Sequence, residues 1–184
     1  GIGQAAALAL AASGFRVGLG GRRAEPLAET VGRIHAEGWQ AWHQVLDIRQ
    51  PESVDAFIQT ALSASNQIDL LVNSAGIFEM RLFAETDPTL WDEMIDINLN
   101  GVYRVIYAAW PYLAGGQVIN IGSVAGVEPY PGNAAYAASK YGLAGLSAVL
   151  ALEGKERGIR VHLLNPGNTQ TPLWQGKAPE AVQL

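Results

Sequence analysis

A doubly wound α/β fold, in which a parallel sheet lies between two layers of helices, follows from two regularities of this 184-residue chain. Short apolar, β-branched runs alternate with helical stretches, and each apolar run closes on a polar or glycine-containing turn. Runs apolar on both faces suit a parallel sheet that is covered on both sides. Right-handed crossovers then wind it as a three-layer α/β/α domain.

The elements follow in order. Residues 4–13 are rich in Ala and Leu and stop at Gly14, a helix-terminating glycine; 15–19 form an apolar strand. Helix 25–37 carries Pro26 in its first turn and Gly38 past its end. Strand 40–46 ends at Asp47, and Pro51 opens a helix running to Ser63. Strand 68–72 leads into Asn73-Ser74-Ala75-Gly76. Asp87-Pro88 begins a long helix to Leu113, and 118–121 is a strand. A helix over 134–157 and a strand over 159–164 precede Asn165-Pro166-Gly167. With no repeat or linker, residues 1–184 read as a single domain, with a substrate lid near 171–180.

Composition narrows the function classes. Hydrophobic residues make up 49% and charged residues 16%, yet no run reaches the ~18 apolar residues of a membrane span. A net charge of −5, with Arg22-Arg23 as the only tight basic cluster, argues against a nucleic-acid surface. Absence of cysteine excludes disulfides, thiolate metal sites and a Cys nucleophile, and fits a cytoplasmic setting. His35, His43 and His162 show no metal-ligand spacing, so no metal is expected. The first helix has no strand ahead of it, although the first helix of a nucleotide-binding unit follows the central strand. Upstream residues ending in a strand and a glycine turn are therefore expected, as are further residues beyond Leu184.

Ligands of such sheets bind beyond the carboxyl ends of the strands. Gly1-Ile2-Gly3 enters the first helix, where glycine lets a pyrophosphate approach the N–H donors; a plain flexible terminus fits those glycines equally. After the strand over 15–19, Gly21 stands where an acid would bind the ribose of NAD(H). Arg22 follows, able to clamp the 2′-phosphate of NADP(H), or simply to flank a helix. Asp47 can accept from an adenine amino group with Ile48 packed on the ring, or serve as a turn residue. Asn73, Ala75 and Gly76 permit close approach to a ribose, or form an ordinary turn. Asn98 beside Asn100 and Gly101 is poor helix chemistry, and marks either a water-binding irregularity or an outward polar residue. Pro166, Gly167, Thr169 and Thr171 form a stiff turn with hydroxyls for an amide or phosphate.

Tyr136 and Lys140 are four residues apart, hence on one helix face, and Ser123 lies thirteen residues before the tyrosine. An ammonium beside a phenol lowers its pKa, and a serine can hold a carbonyl or alcohol oxygen. Proton transfer at an oxygen, coupled to a change at its carbon, is the chemistry suggested. Phe78, Val124, Tyr130 and Trp174 are candidate walls of an apolar pocket, with Glu79 and Arg81 near its mouth or in solvent.

Taken together, these residues resemble the short-chain dehydrogenase/reductase family over nearly the whole chain. The family's glycine turn is similar to Gly1-Ile2-Gly3, its Asn-Asn-Ala-Gly element to Asn73-Ser74-Ala75-Gly76, and its Pro-Gly element to Pro166-Gly167 with Thr171 after it. Its asparagine, serine, tyrosine and lysine fall on Asn98, Ser123, Tyr136 and Lys140. The resemblance implies a Rossmann-type domain and hydride transfer between a nicotinamide and a ketone, aldehyde or 3-oxoacyl group, or the matching secondary alcohol. It implies that Tyr136 is the general acid or base, that Lys140 lowers the tyrosine's pKa and holds the ribose, that Ser123 positions the substrate oxygen, and that Asn98 holds a relay water. It also implies pairing of long helices across a twofold axis, as a homodimer or homotetramer. NADP(H) is favoured, with NAD(H) an alternative. A catalytically silent dinucleotide-binding regulatory or scaffold protein is the rival reading. Family members continue with a substrate-binding lid, another helix and a final strand; 178–182 resembles the start of that helix, arriving early, as expected if lid residues are left out of the sequence.

Overall fold

The computed structural model describes residues 1–63, 65–171 and 173. Trp174, most of the expected lid and the helix expected at 178–182 lie outside them. The chain alternates helices and parallel strands, as the sequence predicts. α1 spans Ile2–Ala12, β1 Val17–Gly21, α2 Ala24–Ala36, β2 Ala41–Val45, α3 Pro51–Leu62 and β3 Leu70–Asn73. α4 spans Pro88–Ile95, α5 Val102–Ala109, β4 Gln117–Ile121, α6 Ala134–Glu153 and β5 Arg160–Leu164.

Two shifts matter for the site. β1 lies two residues later than predicted, because Gly14 (φ 90°) and Phe15 belong to the close of α1; Phe15 N–H donates to the Leu10 carbonyl at 3.1 Å. Gly21 therefore ends the strand and Arg22 leaves it directly. β3 likewise starts later and takes in Asn73, since Ile68 N–H turns to the Tyr112 carbonyl at 2.8 Å.

The helix predicted over 87–113 is divided. Asp87 caps α4 through Leu90 N–H at 2.9 Å, and Pro88 takes the first position, where its missing N–H costs nothing. A π-helical turn over Asp96–Gly101 separates α4 from α5, and a 3₁₀ turn over Trp110–Tyr112 closes the segment at Pro111. α6 similarly ends at Glu153 and passes through a 3₁₀ turn, Gly154–Arg157, to Gly158 with φ 67°.

The predicted sheet is present in two parallel parts. β1 pairs with β2, and β4 pairs with both β3 and β5. The β1 and β3 edges face each other across a cleft of about 1390 Å³, which the N-terminal end of α1 also lines. The main core joins β4 to α3, α5 and α6 through residues such as Val118, Val54, Val105, Ile106 and Leu143. A separate small cluster of Ala7, Ala11 and Ile34 holds α1 and α2 on β1. Among the described residues no helix is long and apolar enough to cross a membrane.

Candidate active site

α6 delivers Tyr136 and Lys140 on one buried stripe, and the turn after β4 delivers Ser123. Ser123 is held from both sides. Its N–H donates to Asn165 Oδ1 at 3.1 Å, and its Oγ accepts from Ala125 N–H at 3.2 Å. Ser123 is also the polar neighbour that acts on the Tyr136 phenol. Phe78 packs edge-on to the Tyr136 ring at 4.9 Å, and Met80, Leu90, Met94, Tyr130 and Leu173 complete an apolar surround. Val124, a predicted wall residue, is more exposed, and Glu79 pairs with Arg81 at 2.7 Å on the open side.

Burial works against the acidification expected of Tyr136. Burial pushes the Tyr136 phenol up; the Ser123 hydrogen bond pulls it down and Tyr130 adds to the rise. Lys140 Nζ sits 5.6 Å from the ring centroid and donates to the Ile121 carbonyl at 2.8 Å. Burial alone lowers Lys140 to about 8. Shared helical spacing puts both side chains on one buried face, as expected.

Asn98 sits in the π turn, fully buried. Its Oδ1 accepts from Ile77 N–H at 2.8 Å, and its Nδ2 donates to the Ile77 carbonyl at 2.9 Å and to Ser139 Oγ at 3.2 Å. Ser139 in turn donates to the Tyr136 carbonyl at 2.7 Å. The expected helix irregularity is therefore present, and the amide spends its polar atoms on protein groups, tying the loop after β3 to α6.

The cleft gathers most of the residues expected to touch a dinucleotide: Gly1, Gly3, Arg22, Asp47, Ile48, Asn73, Ala75 and Gly76. Ile2 opens α1, whose first turn has no side-chain cap and borders the cleft through Gly1, Gly3 and Gln4. Close approach explains two glycines. A Cβ on Gly3 would lie 3.1 Å from Ser74 Oγ; one on Gly76 would lie 3.3 Å from Asn98 Oδ1 and 3.9 Å from Lys140 Nζ. Gly76 thus marks where the cleft meets Asn98 and Lys140. These uncrowded backbones, open helix N–H groups and an exposed arginine fit a phosphate-bearing dinucleotide.

Other predicted residues are placed differently. Pro166 accepts from Val124 N–H at 3.2 Å, and Thr169 Oγ1 donates to the Gly167 carbonyl at 3.1 Å. Neither they nor Thr171 line the cleft. The Asp47 carboxylate is taken up by Arg49, with contacts of 2.6 and 2.9 Å, which lowers it to about 2. Asn73 turns its Nδ2 to Asn120 Oδ1 at 2.9 Å. The sequence reading missed Arg49, Asn120 and Ser147. A lone Asn between Ile119 and Ile121 in an apolar strand was the available signal for Asn120.

A family model described as short chain dehydrogenase matches residues 1–181. The chain is 35% identical to a 3-oxoacyl-[acyl-carrier-protein] reductase of Synechocystis sp., over 99% of this chain and 75% of that protein. A dehydrogenase/reductase from Sinorhizobium meliloti 1021 superposes with a TM-score of 0.90 at 36% identity, covering 94% of this chain and 70% of that one. An alcohol dehydrogenase from the archaeon Thermococcus sibiricus, solved in complex with 5-hydroxy-NADP, gives 0.89 at 29% identity, covering 93% and 73%.

Proposed function

The chain belongs to the short-chain dehydrogenase family, and on that footing we propose that it is an NADP(H)-dependent oxidoreductase interconverting a ketone, aldehyde or 3-oxoacyl group and the corresponding alcohol. The observation that carries this reading is the buried Tyr136 phenol on one stripe of α6 with Lys140, beside Ser123 and where Gly76 opens the cleft toward Lys140.

When bound, the cofactor supplies the hydride to the substrate carbon. The Ser123 hydroxyl and the Tyr136 phenol would both donate to the substrate oxygen, polarising the carbonyl before the carbon is reduced. A buried phenol whose pKa is raised stays protonated at neutral pH, the state a proton donor needs. Tyr136 then gives its proton to the oxygen as the negative charge develops there. Lys140, cationic below about 8, stabilises the phenolate left behind. In the oxidative direction the same phenolate takes the alcohol proton.

Gly21 at the β1 end and the exposed Arg22 beyond it support NADP(H) over NAD(H). Apolar neighbours of Tyr136 and the 3-oxoacyl relative support an acyl or alkyl carbonyl substrate. Exposed Tyr103, Tyr107, Val149 and Leu152 on α5 and α6 support assembly as a homodimer or homotetramer. A cytoplasmic location belongs to the same reading.

The test is NADPH oxidation against a panel of ketones, aldehydes and 3-oxoacyl thioesters. Turnover on any class supports the reading. Dinucleotide binding without turnover across the panel would replace it with a regulatory or scaffold role.

A further inference from the structure

A buried line of hydrogen bonds crosses the domain behind the site. Asn73 Nδ2 donates to Asn120 Oδ1 at 2.9 Å, Asn120 Nδ2 donates to Ser147 Oγ at 2.9 Å, and Ser147 Oγ donates to the Leu143 carbonyl at 2.7 Å. Asn73 and Asn120 are register partners of β3 and β4. All three side chains are buried, Asn120 completely. The surrounding β4 positions, Val118, Ile119 and Ile121, show that an apolar residue is the ordinary occupant of this strand.

We propose that Asn120 and Ser147 are positioning residues, which fix α6 along β4 and so set where Tyr136 and Lys140 stand; the inference rests on the reading of that pair as catalytic. Tyr136, Lys140, Leu143 and Ser147 are spaced four, three and four residues apart and form one stripe of α6. The stripe is pinned to β4 twice, at adjacent residues: Lys140 Nζ to the Ile121 carbonyl, and Ser147 to the Asn120 side chain. Apolar packing alone permits small slides of a helix over a sheet. A fully satisfied buried amide does not, because its bonds are directional and leaving one unmade in a dry core is costly. The other end of Asn120 holds Asn73, which lines the dinucleotide cleft. One amide therefore fixes the catalytic helix and the cleft wall in a common frame.

Ser147→Ala removes the acceptor of Asn120 Nδ2 and leaves the helix and the Asn73 bond in place. Its kcat for carbonyl reduction should fall about tenfold or more, as sub-ångström to ångström misplacement of reacting groups does. NADPH affinity should be unchanged, and Ser147→Thr, which keeps the hydroxyl, should retain kcat. Ser147→Cys, nearly isosteric but a weak hydrogen-bonding group, serves the same comparison if the alanine variant does not fold. Wild-type kcat in the alanine or cysteine variant, with only a lower Tm, would overturn the proposal and leave the functional reading intact. Joint loss of kcat and NADPH affinity that threonine does not rescue would also overturn it. Absence of turnover in the unaltered protein on the carbonyl panel would remove the functional reading and, with it, any reaction to position for.

Discussion

Asn98 grips Ile77 by both of its backbone groups, accepting its N–H at 2.8 Å and donating to its carbonyl at 2.9 Å, across a separation of 21 residues. That clamp holds the loop from Asn73 to Ile77 against the π turn, beside Gly76 and Lys140. Asn98→Ala would strand the partly buried N–H and carbonyl of Ile77. A loss of about 1–3 kcal/mol for such groups is expected, together with weaker NADPH binding as the loop loosens. Denaturant unfolding and a fluorescence titration would measure the two effects; an unchanged NADPH affinity would show that the clamp serves stability only.

Tyr136→Phe deletes the phenol while keeping the ring that packs on Phe78. Turnover should fall by at least the ~10²–10⁴-fold that general acid catalysis contributes, with NADPH affinity retained. Steady-state kinetics beside equilibrium binding would check this, and wild-type-like turnover would defeat the mechanism.

The pH dependence of reduction has a definite sign. Below about 8 the phenol is protonated and Lys140 carries its charge. As pH rises through about 8 the ammonium is lost and the phenolate left by proton donation loses its stabilising neighbour, so kcat for reduction should decline on the alkaline side. The same shift affects stability oppositely. A lysine whose folded pKa lies below its ordinary 10.5 penalises the folded state while protonated, and that penalty is relieved as pH rises from about 8 toward 10.5. Lys140→Met should remove both dependences, read from a pH–rate profile and from unfolding at several pH values.

Arg22→Ala should weaken NADPH by on the order of tenfold to a hundredfold, the worth of charged hydrogen bonds of roughly 1.5–3 kcal/mol, and leave NADH nearly unchanged. Paired dissociation constants decide it. Equal losses would mean that Arg22 does not meet the 2′-phosphate.

Much of this was legible in the residues. Alternating apolar runs and helices announced the parallel fold, and the spacing of Ser123, Tyr136 and Lys140 announced the cluster. The π turn was legible only as poor helix chemistry at Asn98, Asn100 and Gly101, because its geometry answers to Ile77, a tertiary partner. The rise that burial imposes on the phenol was not legible, because spacing reports which face a side chain shares and not how deeply it is buried. Arg49 escaped notice since pairing with Asp47 two residues earlier requires a turn that no periodicity encodes. Asn120 escaped because an amide inside an apolar strand reads as a blemish until its two partners are in view.

The separation of the apolar clusters has a thermal consequence. α1, α2, β1 and β2 share their own small apolar cluster, so this portion should breathe more readily than the body around β4, and its amides should exchange with deuterium sooner. A dinucleotide laid from Arg22 to Tyr136 would rest on both portions at once. Its arrival should slow exchange in Val17–Gly21 most of all, making the cofactor a tie beam as well as a reagent.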